Sequence, residues 1–186
     1  DYENAYLSVS AFRNSYKDFI SSNFIGRSGA VSLYQNQNID DVEIHGAEAT
    51  AFLYFGENWR MRSAIAYAMG RDQETSQHLD SVDPVNLVNS LRYDSTSGSW
   101  GAELFWTVVA DKTKVSSDSV TGADGYQVLD AVVDLRIGDS LSVRAGVFNI
   151  FDEEYARWQS IQGLNKVTAA DTILNNYQPG TNLRLG

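Results

Sequence analysis

Residues 129–155 read LDAVVDLRIGDSLSVRAGVFNIFDEEY. Leu129, Ala131, Val133, Leu135 and Ile137 share one face of an alternating run, and Asp130, Val132, Asp134 and Arg136 share the other. After Gly138-Asp139-Ser140, a second run sets Leu141, Val143, Ala145 and Val147 against Ser142, Arg144 and Gly146. Successive side chains of a strand point to opposite sides, so a period of two predicts two β-strands. The polar tripeptide between them predicts a hairpin. Two aspartates and two arginines thus lie on one side of a hairpin whose other side is nearly all apolar. A soluble sheet with its apolar side inward has this pattern. So does a membrane barrel with its apolar side to lipid and its charged side to a wet lumen. The companions of the hairpin must choose.

Working outward, alternating runs recur at Ala5–Asp18, Asp41–Phe55, Trp59–Gly70, Val85–Asp94 and Trp100–Asp111, with the start of another at Asn182–Leu185. Short turns are predicted at 56–58, 96–99 and 138–140, and long loops at about 21–38, 71–83, 112–125 and 154–180. Each hairpin is therefore short at one end and long at the other, as in outer-membrane barrels with short periplasmic turns and long extracellular loops. Runs of about ten residues suit tilted membrane-crossing strands, whereas soluble strands usually have about five or six. Tyr54, Phe55 and Trp59 surround the first short turn, and Tyr93 and Trp100 the second. That is where a girdle of aromatics would meet the headgroups; the third short turn has none. The expected fold is an all-β, antiparallel, up-and-down transmembrane barrel. Strands starting near 5, 59, 100 and 141 would rise, and those starting near 41, 85, 126 and 182 would descend.

Composition narrows the function. A chain of 186 residues with 43% hydrophobic and 20% charged residues can fold as one domain. The absence of cysteine excludes disulfides, zinc–thiolate sites and a cysteine nucleophile. A formal charge of −10 argues against nucleic acid, which needs a basic patch. No stretch of about 18 apolar residues could form a transmembrane helix. The opening DYENAYLSVSAF lacks the basic region and apolar core of a signal peptide. The chain is thus expected to be processed, or to be a piece of something longer whose last strand is cut at Gly186. Nothing resembles a hydrolase triad, a P-loop or a Rossmann turn, so no enzyme is expected.

Several motifs carry a family resemblance. Gly146–Tyr155 (GVFNIFDEEY) resembles the N-L-F-D-x-x-Y stretch in the penultimate strand of TonB-dependent outer-membrane receptors, matching it at Asn149, Phe151, Asp152 and Tyr155, with Ile150 for Leu. Pro179-Gly180-Thr181-Asn182-Leu183 resembles the P-G-R-x-F lead-in to their last strand, with Thr181 for Arg. Ile44-His45-Gly46-Ala47-Glu48 is similar to their I-x-G-V-E strand. Tyr16–Ile20, Leu91–Asp94 with Trp100-Gly101, and Tyr155–Trp158 with Gly163-Leu164 resemble the haem/haemoglobin receptor branch. The resemblance implies a plugged barrel of about 22 strands, of which residues 1–186 would form the C-terminal part, roughly strands 15 to 22. The plug domain, the segment that meets TonB and the earlier strands would lie elsewhere in the protein. It further implies uptake across the outer membrane of a Gram-negative bacterium, without covalent chemistry. Haem would be transported cargo, not a resident cofactor, and a haemoglobin-type carrier is a possible partner. A siderophore receptor, a small eight-stranded membrane barrel and a soluble ligand-binding barrel stay open as alternatives.

The candidate ligand contacts lie in the long loops. His78 could ligate haem or a metal, but a solvated histidine has the same sequence context. Tyr34, Tyr155, Trp158 and Tyr177 could contact haem or a host protein, or simply pack the loops. His45 reads as a wall or rim histidine. Asp72, Glu74, Asp80 and Asp83 could bind Ca²⁺, although their spacing matches no EF-hand. Arg60, Arg62, Arg92, Glu103, Asp130, Asp134, Arg136 and Arg144 would wet the lumen and meet the plug.

Overall fold

A computed structural model describes residues 4–29 and 31–186. Eight strands follow one another in space as they do in sequence, all antiparallel. They are β1 (Ala5–Ser28), β2 (Val31–Phe55), β3 (Trp59–Asp72), β4 (Asn86–Asp94), β5 (Trp100–Val109), β6 (Tyr126–Ile137), β7 (Leu141–Phe148) and β8 (Asn182–Leu185). Two short helices, α1 (Trp158–Ile161) and α2 (Ala170–Asn175), interrupt the connection before β8. The sheet is open, with β1 at one edge and β8 at the other. A closed eight-stranded barrel is therefore not formed.

The segment at 21–38 corrects the expectation of a loop. β1 and β2 stay paired as far as Ser28↔Val31, across a bulge between Phe24 and Gly26, and Gly29 takes a positive φ of 61° at the tip. A strand in water on both faces needs no apolar alternation, because ladder hydrogen bonds satisfy its backbone whatever the side chains. Polar sequence hid the strand. β2 accordingly begins at Val31, not near 41.

The register carries the apolar row across the whole sheet. Leu7 faces Ala51, which faces Ser63, which faces Asn89, which faces Trp106, which faces Leu129. The next rungs down put Leu53, Met61, Leu91, Leu104, Ala131 and Val147 in line. Leu104, Trp106 and Leu135 remain 44–45% exposed. Two polar residues in the first of these rows, Ser63 and Asn89, bond each other at 2.8 Å. At the short-turn end the same face carries a chain of rings: Phe55–Trp59 at 6.4 Å, Trp59–Tyr93 at 4.9 Å and Tyr93–Trp100 at 5.1 Å between centroids. The girdle stops before the third turn, where Ile137 and Leu141 pair instead.

The opposite face is ionic. The Arg92 guanidinium donates to both Asp134 carboxylate oxygens, at 2.9 and 3.1 Å, and its Nε donates to Asp94 at 2.9 Å. Arg60 meets the second Asp94 oxygen at 2.9 Å, and Glu103 lies 3.6 Å from Arg92. Bidentate arginine–carboxylate pairs of this kind are among the stronger hydrogen bonds in proteins. Gly101 leaves the space: a Cβ there would meet the Arg92 guanidinium at 2.5 Å. Higher on the same face Arg62 lies 5.4 Å over the Phe52 ring, and Phe12 covers Gly46.

Candidate functional site

The long connections fold back over the ionic face at its upper end. Among residues 73–85, Leu79 and Val82 are buried against Val42, with Phe19, Ile44 and Ala68 around them. Gly70 permits this, since a Cβ there would meet both side chains at 2.8 Å. Asp72 turns the chain into the loop by accepting the N–H groups of Glu74 and Thr75, at 2.8 and 3.0 Å. His78 then pairs back against Arg71 as an isolated bridge and is half-buried. Its pKa falls below the ordinary 6.5, first because burial disfavours the imidazolium and then because Arg71, Lys114 and Lys112 repel it.

Residues 110–125 and 149–181 interlock with this loop. Trp158, 2% exposed, is the centre of a cluster with Ala156 and Ile161, on which Val115, Ala123, Leu164 and Ile173 pack. Its indole N–H donates to the Asp80 carbonyl at 2.7 Å. The Asp80 carboxylate in turn accepts the Ser116 N–H at 2.8 Å and the Ser116 hydroxyl at 2.6 Å. Lys112 donates to the Val82 carbonyl at 2.6 Å while its ammonium lies 5.5 Å over the Trp158 ring. Burial lowers the Lys112 pKa, and Asp80 and Asp83 act against that shift. Backbone bonds from Lys166 to Ser119 and from Thr121 to Leu164, both 2.8 Å, close the seam. Among the described residues no buried side-chain donor or acceptor lacks a partner. The three connections form one small folded cap.

The Asn149–Tyr155 motif ties this cap to the sheet. Asn149 sits at a positive φ of 50° and is 3% exposed. Its N–H donates to Asp130 at 2.7 Å, its amide donates to the Glu153 and Pro179 carbonyls at 2.9 and 3.2 Å, and its Oδ1 accepts the Glu153 N–H at 2.9 Å. Asp152, also at positive φ, accepts the Thr181 N–H at 2.8 Å, and the Thr181 hydroxyl donates to the Asn149 carbonyl at 2.7 Å. Any side chain at Gly180 would collide with Asp152. The knot therefore joins the end of β7 to the start of β8 across 30 residues of chain. Tyr155 stacks on Tyr126 at 4.1 Å, while Phe151 is exposed.

The candidate contacts are spread over the cap. His78 lines a cavity of about 330 Å³ with Tyr67, Asp83, Asp111, Lys112 and Lys114. Tyr177 lines another of about 320 Å³ with Asp111, Asp124, Glu154, Tyr155 and Ile173. The Tyr34 hydroxyl reaches the Gly163 carbonyl at 3.1 Å. Trp158 is enclosed by the cap and holds it together. His45 faces outward 3.7 Å from Glu43. Among the described residues no group of three histidines or carboxylates could hold a metal ion, and Asp72 and Asp80 spend their carboxylates on loop hydrogen bonds. Lys112 and Asp80 join the loops, and the sequence does not mark them as a pair. Their partners lie 30 to 78 residues away, so no local spacing announces them.

Comparison with known proteins follows the same lines. Residues 1–150 match the model of the family described as TonB dependent receptor-like, beta-barrel. A "Probable hemoglobin and hemoglobin-haptoglobin-binding protein 1" of Haemophilus influenzae is 25% identical over 261 residues, covering 98% of this chain and 25% of the relative. The "Hemoglobin-haptoglobin utilization protein B" of Neisseria meningitidis serogroup C is 23% identical, covering 92% of this chain and 26% of that protein. The chain thus spans about a quarter of the length of the curated relatives it matches. Among solved structures, "Copper transporter OprC" superposes with a TM-score of 0.83 at 22% identity, covering all of this chain and 29% of that one. A ferric enterobactin receptor from Pseudomonas aeruginosa does so with 0.71 at 20%, covering all of this chain and 28% of that one. These two likenesses are of fold.

Proposed function

This chain belongs to the TonB-dependent receptor β-barrel family, a family of the Gram-negative outer membrane, and from that premise we propose that it forms part of the wall and mouth of an uptake receptor for haem iron. The supporting observation is the division of faces over the middle of the sheet. Through the pairings of β1 to β7 the rows from Leu7 to Leu129 and from Leu53 to Val147 stay on one side, and the Arg92–Asp134 network stays on the other. Such a sheet fits hydrocarbon outside and a wet lumen inside. The remaining strands, the plug and the TonB-contacting segment belong to the rest of the protein, with residues 1–186 as the C-terminal part of the barrel. The cargo reading follows the relatives, whose names specify haemoglobin and haptoglobin binding. The receptor moves its cargo without making or breaking covalent bonds in it.

The test uses the full-length receptor. Haemin is titrated into it in detergent, and a strain carrying it is grown with haemin as sole iron source, with and without TonB. Saturable binding and TonB-dependent growth are expected. Absence of both, with growth on a ferric siderophore instead, overturns the haem cargo. His78→Ala in the same receptor assigns the imidazole: a tenfold or greater loss of haemin affinity makes it a ligand, and unchanged affinity removes it from the contacts.

A further inference from the structure

The sheet opens a slot on its lipid face where hydrocarbon gives way to headgroups. β3 and β4 pair from Trp59↔Tyr93 up to Ala66↔Asn86, yet β3 runs on to Asp72. The gap above that last pair holds the cavity of about 330 Å³ that His78 lines. Tyr67 and Met69 line it from β3, and their place in the alternation puts them on the lipid face with Met61 and Ile65. Pro84 and Val85 add apolar surface, and His78 and Lys114 add polar groups. Arg71 stands beside His78 as its bridge partner.

The height of the slot follows from the same strand. Met69 lies ten residues beyond Trp59 of the ring chain, and about nine to eleven residues take a tilted strand across a bilayer. The neighbouring strands change character at that level. Ala11 faces Ala47, which faces Tyr67, but the next rung on this face carries Arg13, His45 and Met69, and the one after it Ser15, Glu43 and Arg71. Arg13 and Glu43 form an ion pair there. Above Val42↔Asp72 the β1–β2 ribbon continues without β3.

The charge of the slot opposes that of the chain. After burial, it is Arg71, Lys114 and Lys112 that lower the His78 pKa, so the local field is positive in a chain of formal charge −10. The acids of the cavity are engaged elsewhere: Asp111 accepts the Gly125 N–H at 2.6 Å, and Asp83 acts on the buried Lys112. Lys112 itself is spent on the Val82 carbonyl and the Trp158 ring. Arg71 and Lys114 are exposed, and among the described residues neither forms an ion pair. Two uncommitted cations and an imidazole, set beside apolar side chains at headgroup depth, complement an anionic headgroup carried on acyl chains. We propose that the slot holds a phosphate-bearing lipid of the outer leaflet, with its phosphate between Arg71, His78 and Lys114 and its apolar part against Tyr67 and Met69. Such a site needs the outer-membrane placement but no particular cargo.

The test uses full-length receptor in detergent, with bisphosphorylated lipid A as the probe and the same lipid stripped of its phosphates beside it. Saturable binding of lipid A is expected, at least tenfold weaker for the stripped lipid and unmoved by excess inorganic phosphate. Arg71→Gln with Lys114→Gln should weaken it tenfold or more. Arg157→Gln with Lys166→Gln, an equal change of charge on exposed cap residues, should leave it unchanged. Resistance to SDS without heating checks that each variant is folded; if the first pair does not fold, Lys114→Gln alone decides by the same outcomes. Equal affinity for the two lipids means lipid met along the wall without a site, and overturns the proposal. Equal losses in the two pairs reduce the effect to net charge, and competition by inorganic phosphate makes the slot a site for free anions; either result overturns it as well. Unchanged binding without Arg71 and Lys114 places the lipid elsewhere and does the same. Haemin binding, measured on the same samples, bears on the cargo alone.

Discussion

The sheet and the cap bury their apolar side chains in opposite ways. On the sheet, Leu104, Trp106, Val133 and Leu135 line up in register yet stay 39–45% exposed. In the cap, a third of the chain with little regular structure, Trp158, Ile161 and Ala169 are each 2% exposed and Leu79 and Val82 under 8%. A soluble β-protein would bury the row of Leu104, Trp106, Val133 and Leu135 too, whereas here a strand residue such as Val42 is buried, at 1%, where the cap packs on it. The sheet is therefore finished by lipid, and the cap is finished by itself. Large effects are expected where the cap is opened and where lipid is offered a charge, and small effects where water already reaches.

The largest effect should come from Trp158→Ala. The substitution empties the centre of the cap and removes the donor to the Asp80 carbonyl. Truncating a buried tryptophan costs about 3–5 kcal/mol. Hydrogen exchange should speed up across 73–85, 110–125 and 149–181 together, while β3 to β6 keep their protection. If only 149–181 responds, the three connections are not one folded unit. Leu104→Arg should come next, at about 2–4 kcal/mol for a cation near the middle of the lipid face. Thr107→Arg, one strand face over, should be tolerated. Folded receptor in the outer membrane measures both, and the reverse order would mean that the faces have been exchanged.

Arg92→Ala should cost less, about 1–3 kcal/mol, because it strips hydrogen bonds from Asp94 and Asp134 on a wall that water can still reach. Asp134→Asn should cost less than Arg92→Ala, since Asp94 still holds the guanidinium. Thermal unfolding of the two variants in detergent ranks them. Equal losses would mean that the Asp134 pair alone carries the network.

The wall was legible because lipid imposes a rule on every second residue. Seven of the eight strands begin within a residue or so of their place in the alternation. The ribbon was not legible, since no such rule holds for a strand in water, and Gln35-Asn36-Gln37-Asn38 pairs as well as any apolar run. The cap was half legible. Loop packing was one of the two readings open for Trp158, and the Asn149–Tyr155 motif stood out by its resemblance but not as the knot it forms. That Lys112 would lie over that tryptophan could not be read, because burying an ammonium is favourable only in a particular three-dimensional setting. The same holds for His78: its loop is evident in the sequence, but the three cations around it are not.

That setting gives the smallest effect and the sharpest sign. Burial, followed by Arg71, Lys114 and Lys112, keeps His78 neutral, so its pKa in the folded cap lies below the 6.5 of an unfolded chain. A base with a depressed pKa costs nothing while both states are neutral. As pH falls through 6.5 the unfolded loop takes up the proton first, so the cap loses stability, and the loss levels off below the folded pKa. Exchange in 73–85 should therefore, after correction for its intrinsic pH dependence, quicken as pH drops below about 6.5, while exchange on β5 and β6 does not. In His78→Gln, which carries no titrating proton, the difference should vanish. If the dependence survives that substitution, another group governs the acid response of the cap, and His78 is no more than a lining residue of its cavity.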